Sequence, residues 1–129
     1  MPEARIETRG DWLGDRAPAL IDAVHGAMTE VLRLPPHDRV VRLFEHAPDH
    51  FAIPPGRSDR FTLVEIMMFA GRTTDTKRKL YKAIVANLAA FDVPAEEVMI
   101  VLKESPLENW GIRGGQAACD VELAVDVSL

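Results

Sequence analysis

Cysteine is almost missing from this chain. Cys119 stands alone, which excludes an internal disulfide framework and a multi-cysteine zinc site. Long apolar runs are missing too. The hydrophobic share is 47% and the mean hydropathy −0.03, and no stretch reaches the roughly 18–20 apolar residues of a membrane-spanning helix. The first residues include Glu3, Glu7 and Asp11 without the apolar core of a signal peptide. These absences favour a cytoplasmic protein. A basic excess is also lacking, with 15 Lys and Arg against 20 Asp and Glu. The densest basic stretch, Lys77, Arg78, Lys79 and Lys82, has the spacing of a solvated helix face and not the breadth of a nucleic-acid footprint. No nucleophile elbow, dinucleotide fingerprint or P-loop occurs, and Gly111, Gly114 and Gly115 are too sparse to cradle a phosphate. What remains is a single domain over residues 1–129, large enough to bury a core. No nucleic acid, membrane, cofactor or metal is expected as a partner.

The residues present fall into two copies of one unit. In the first, a short strand ends at Arg9-Gly10. A helix follows over about 15–33, with Leu20, Ile21, Val24, Met28, Val31 and Leu32 on one stripe. Asp15 is placed to cap it, and Pro18 falls in the first turn, where missing amide donors cost little. After Pro35-Pro36 a strand is predicted over 40–45. The second copy has a β-branched and apolar strand over 62–69, then Gly71. Its helix is capped by Thr73 or Thr74, runs to about 91 and turns Leu80, Ile84, Leu88 and Phe91 inward; a strand over 98–103 follows. Pro35 stands as far ahead of Glu45 as Pro94 does of Glu104. The internal repeat spans about 2–46 and 61–105.

A strand–helix–strand unit makes a parallel pair through a right-handed crossover. The fold class is therefore α+β built from α/β-type units: a duplicated β-α-β with a four-stranded mixed sheet and both helices on one face. A C-terminal strand is added over 121–127, where Val121, Leu123, Val125 and Val127 alternate with Glu122 and Asp126. Two helices cannot cover both faces of such a sheet. The open face is expected to be buried by oligomerisation, with the late strand a candidate for pairing across subunits.

Chemistry is expected where the copies differ. In the first strand Pro2, Ala4, Ile6 and Thr8 share one face and Glu3, Arg5, Glu7 and Arg9 the other, so Pro2 points inward. Aligning Gly10 with Gly71 sets Pro2 against Leu63 and Asp11 against Arg72. Three residues past each helix-ending proline stand Asp38 and Glu97. A terminal amine, a carboxylate and an arginine suit acid–base work on a small oxo acid, because Arg holds a carboxylate in a bidentate fork. His46 and His50 have a gap that suits metal ligands, but Pro48 between them spoils a helical presentation. His25 reads as a solvent or interface histidine. The 47–60 segment, with Pro48, Pro54, Pro55 and Gly56, is a long loop that suits a lid or a subunit-contact arm.

Taken in order, Pro2, Pro35, Asp38-Arg39, Glu45-His46, Ala70-Gly71-Arg72 before a Lys-rich helix, and Asn109-Trp110-Gly111-Ile112 before Gly114 resemble the tautomerase superfamily. Within it the pattern is most similar to the malonate semialdehyde decarboxylase group. The resemblance implies a trimer of duplicated β-α-β subunits whose amino-terminal proline, exposed by removal of Met1, is the catalytic acid or base. It implies that Pro2 takes that role, that Arg72 binds or polarises the substrate, that Asp38 orients water or Pro2, and that Trp110 walls the pocket. The decarboxylase pattern carries two arginines two positions apart, and the first is Ala70 here. A neutral Pro2 amine would act as a keto–enol tautomerase on a 2-oxo acid. A cationic one would serve decarboxylation or hydration of a 3-oxo acid. A silent oligomeric scaffold is the alternative of another class.

Overall fold

The computed structural model describes residues 2–129; Met1, whose removal the sequence reading expects, lies outside them. Strand β1 spans Glu3–Arg9, helix α1 Ala17–Leu32 and strand β2 Val41–His46. Strand β3 spans Thr62–Phe69, helix α2 Thr74–Leu88 and strand β4 Val98–Ser105. The sheet order is β2-β1-β3-β4. Strands β1 and β2 are parallel, β3 and β4 are parallel, and β1 runs antiparallel to β3 at the centre. The mixed sheet of two β-α-β units is therefore the observed architecture.

Burial follows the alternation read from the sequence. Pro2, Ala4, Ile6 and Thr8 are buried, while Arg5 is exposed and Glu3, Glu7 and Arg9 are half-buried. Ala4 and Ile6 join Val64, Ile66 and Met68 of β3 in one core with Leu20, Val24, Met28 and Leu32 of α1 and Leu80, Ile84 and Leu88 of α2. Both helices therefore cover the same sheet face, as two apolar stripes at helical period require. The opposite face carries Arg5 stacked 4.5 Å over Phe44, the pairs Arg42–Glu3 and Lys103–Glu65, and Met99, 52% exposed.

Three expectations are corrected. Residues 121–127 form no strand within the chain. The alternating pattern needs a ladder partner, and the tail's groups are engaged elsewhere. Arg113 Nη1 donates to Glu122 O, Asp126 accepts from the amide and hydroxyl of Ser128, and Leu129 O accepts from the Thr73 amide and the Thr76 hydroxyl. Asp15 does not cap α1: it sits in a 3-10 turn, Gly14–Arg16, and the helix starts without a side-chain cap. Thr73 does cap α2, accepting from the Thr76 amide. His25, expected at solvent or an interface, is not a solvent residue, since its own subunit leaves it only 7% exposed.

Among the described residues no helix is long and apolar enough to cross a membrane. None of the His, Cys, Asp and Glu side chains among them gather into a group of three that could hold a metal. His46 instead bonds Glu7, and His50 is exposed beside Asp49.

Candidate active site

Because the two units run antiparallel, each end of the sheet collects the starts of one parallel pair and the exits of the other. At one end β1 and β2 begin and β3 and β4 finish. The register pairs Glu3 with Met67 and Ala4 with Val41, so Pro2, one step earlier, lies level with Met68 and Arg39. The Ala4 amide donates to Val40 O at 2.9 Å, tying the approach of β2 to the start of β1. Asp38 stands just before, in a turn closed by its amide on Pro35 O. Arg72 follows Gly71 at the exit of β3. The fold thus brings Pro2, Asp38 and Arg72 to one end of the sheet.

Gly71 is required there. Its φ is +128°, and a Cβ would stand 3.0 Å from Val127 O, so only glycine lets the tail cross this close to the strand exit. Arg72 beyond it is 8% exposed and donates from Nη1 to Leu32 O, at the end of α1, at 3.2 Å. Burial lowers its pKa and the charge of Asp126 opposes the shift, but a guanidinium remains cationic. Asp126 is held below the usual carboxylate range, first by the hydroxyl and amide of Ser128 and then by Arg72 and Arg33. The tail therefore lays an anion beside the buried arginine.

A cleft of about 310 Å³ opens at this end, walled by Asp38, Val40, Ile112, Leu123, Ala124 and Val125 among others. Pro2 and Arg72 are buried at the same end without lining it. Trp110 lies to one side. Its ring meets Phe69 edge-on at 4.8 Å, and its Nε1 donates to Ser105 O. Phe69 belongs to the sheet face away from the helices, so Trp110 borders that face.

The part played by His25 at this end escapes sequence reading. His25 Nε2 lies 3.0 Å from Asp38 O, and its Nδ1 lies 3.0 Å from Arg39 Nη1. Arg39 also pairs with Asp22. The one available signal is that His25 follows Val24 at the edge of the buried stripe of α1. Glu97, the counterpart of Asp38 in the second unit, is buried at the opposite end. It accepts from the Ser58 amide and hydroxyl, which hold its carboxyl below the usual range. Its role is to anchor the 47–60 loop.

Similarities to known proteins cover nearly the whole chain. The family described as "Tautomerase enzyme" matches residues 38–113. The probable tautomerase YusQ of Bacillus subtilis (strain 168) is 27% identical, over 91% of this chain and 97% of its own length. The crystal structure of FG41 malonate semialdehyde decarboxylase, inhibited by 3-bromopropiolate, superposes with a TM-score of 0.79 at 34% identity, covering 96% of this chain and 99% of that one. Native fused 4-OT superposes with a TM-score of 0.81 at 25% identity, covering 92% and 98%.

Proposed function

The chain belongs to the tautomerase enzyme family, and from that premise we propose that it is a cofactor-free enzyme using the amine of Pro2 as acid or base on a small oxo acid. The observation that carries the reading is the gathering of Pro2, Asp38 and Arg72 at one end of the sheet, beside an open cleft. Removal of Met1 leaves Pro2 a secondary amine with a basic lone pair. In the neutral form that amine takes a proton from the carbon next to the carbonyl of a 2-oxo acid. The electron pair moves onto the carbonyl oxygen, where Arg72 offsets the charge, and the proton returns to oxygen or carbon. Asp38 orients the amine or a water. Substrate binding at Arg72 exchanges one anion for another, because its carboxylate takes the place of Asp126 beside the guanidinium.

A second reading is decarboxylation of a 3-oxo acid such as malonate semialdehyde by the cationic amine. It is favoured by the 34% identity to a malonate semialdehyde decarboxylase. Ala70, at the position of that pattern's first arginine, favours tautomerisation. Assembly as a homotrimer follows from the same family reading. The sheet face away from the helices leaves Met99 exposed, and a fused 4-OT of 23% identity forms a symmetric trimer.

Pro2→Ala is the test. Turnover of phenylpyruvate enol, or carbon dioxide release from malonate semialdehyde, is expected to fall by about 10²–10⁴-fold with assembly intact. Full activity of the variant on both substrates would refute the role of Pro2, and absence of turnover of either substrate by the unaltered chain would leave the scaffold reading.

A further inference from the structure

We propose that His25 is a positioning residue: its imidazole clamps the turn before β2 onto α1 and so fixes Asp38 at the mouth of the cleft. The proposal rests on the reading that Asp38 acts in turnover.

The two ring nitrogens have partners of opposite kind. Nε2 lies 3.0 Å from Asp38 O and 3.4 Å from the Thr29 hydroxyl oxygen, which can accept as well. A carbonyl only accepts, so Nε2 carries the proton. Nδ1 lies 3.0 Å from Arg39 Nη1. A guanidinium only donates, so Nδ1 presents its lone pair. Both neighbours select the same neutral tautomer, whereas a doubly protonated ring would turn an N–H against the Arg39 guanidinium. Arg39 is held in turn by Asp22, one turn earlier on the same helix. Residues 38 and 39 are thus fastened to α1 through backbone and side chain together. The Asp38 amide on Pro35 O and the Ala4 amide on Val40 O fix the turn from its two other sides.

The clamp is present in one unit only. α1 buries Leu20, Val24 and Met28 and α2 buries Leu80, Ile84 and Leu88 in step, which sets Val85 in the place of His25. Val85 can hold no turn, and the corresponding carboxylate, Glu97, is fixed by Ser58 instead. A histidine of only 7% exposure stands in the unit that carries Pro2 and is absent from the one that does not. A reacting group displaced by about 1 Å can lose on the order of 10²-fold in rate, so the clamp acts on turnover more than on binding.

The experiment compares His25→Phe, His25→Gln and Asp38→Asn in the full chain, with kcat and KM for the better of the two oxo-acid substrates. His25→Phe keeps a ring in place and loses the contacts to Asp38 O, Arg39 and Thr29. Its kcat is expected to fall about 10-fold with KM within about 3-fold of the original. His25→Gln, whose amide can donate to Asp38 O, is expected to restore most of the rate. Asp38→Asn is expected to fall further, and adding His25→Phe to it should cost little more, since the two act through one group. His25→Asn, too short to reach Asp38 O, replaces His25→Phe if that variant does not assemble, with the same loss expected. Wild-type kcat in either variant while Asp38→Asn is impaired overturns the clamp and leaves the proposed function standing. Wild-type kcat in Asp38→Asn removes the role of Asp38 and the clamp with it. A loss in His25→Phe that His25→Gln does not relieve makes His25 a packing residue and overturns the proposal.

Discussion

The two ends of the sheet are built from equivalent parts and have been put to different uses. Each holds the start of one β-α-β unit, the exit of the other, and a carboxylate just ahead of a strand. At one end the carboxylate is Asp38, on the wall of an open cleft. At the other it is Glu97, turned onto Ser58. There the loop before β3 packs over the strands. Arg60 stacks 4.3 Å over Trp12, Phe51 meets both His46 and Phe61 edge-on, and Arg9 pairs with Asp59. One carboxylate faces space a ligand can enter, while the other ties down a plug. A duplicated fold offers two mouths: at one the carboxylate stays on the wall of a cleft, and at the other it ties the loop before β3 onto the strands.

After the loss of the Pro2 amine, the largest effect should come from removing the cation of the open end. Arg72→Ala is expected to lower kcat/KM about 10²–10³-fold, measured by steady-state kinetics on the oxo-acid substrate. Arg72→Lys should recover little, because a lysine cannot offer the planar fork. Next, the two carboxylates should part company. Asp38→Asn is expected to reduce kcat about 100-fold while leaving the thermal midpoint nearly unchanged. Glu97→Gln should leave kcat alone and lower the midpoint by about 5 °C. Equal kinetic effects from both substitutions would erase the distinction between the ends.

Acid sharpens the same contrast. The carboxyl of Glu97 is depressed in the fold by the Ser58 hydroxyl and amide. Its contribution is therefore present above the unfolded carboxylate value of about 4.3 and is lost as pH falls through the lower folded value. Melting curves of wild type and Glu97→Gln should converge as pH falls through that window; a gap that stays constant would mean that the Ser58 contact is not ionic. The smallest effect concerns the tail. Asp126→Asn removes the anion beside Arg72 and is expected to lower KM about 3-fold. A raised KM would mean that Asp126 supports the site instead of competing for it.

The sequence made much of this contrast legible. Period-two alternation gave β1 its inward face, and the threonine ahead of the Lys-rich helix gave α2 its cap. The strand over 62–69 needed no correction. The counterpart of Pro2 shifts by one, because the buried stripes of α1 and α2 run in step only when Pro2 is set against Thr62, next to the Leu63 that glycine alignment selects. What stayed hidden is non-local. His25 has Thr29 one turn on in its own helix, but it takes Asp38 O and the Arg39 guanidinium from the turn before β2, and nothing in the helix announces those two. The tail has the alternation of a strand, yet its groups are taken by Arg113, by Ser128 and by the first turn of α2. Pattern records what a segment can pair with, and the available partners decide what it does.

The amine of Pro2 is the centre of the account, and it exists only if Met1 has been removed. Intact-mass spectrometry of the active, assembled protein tests this most directly. The expected mass is that of a chain beginning at Pro2, with activity rising in proportion to that species across preparations. Full turnover in a preparation that retains Met1 throughout would contradict the account, because the Pro2 nitrogen would then be an amide without a basic lone pair.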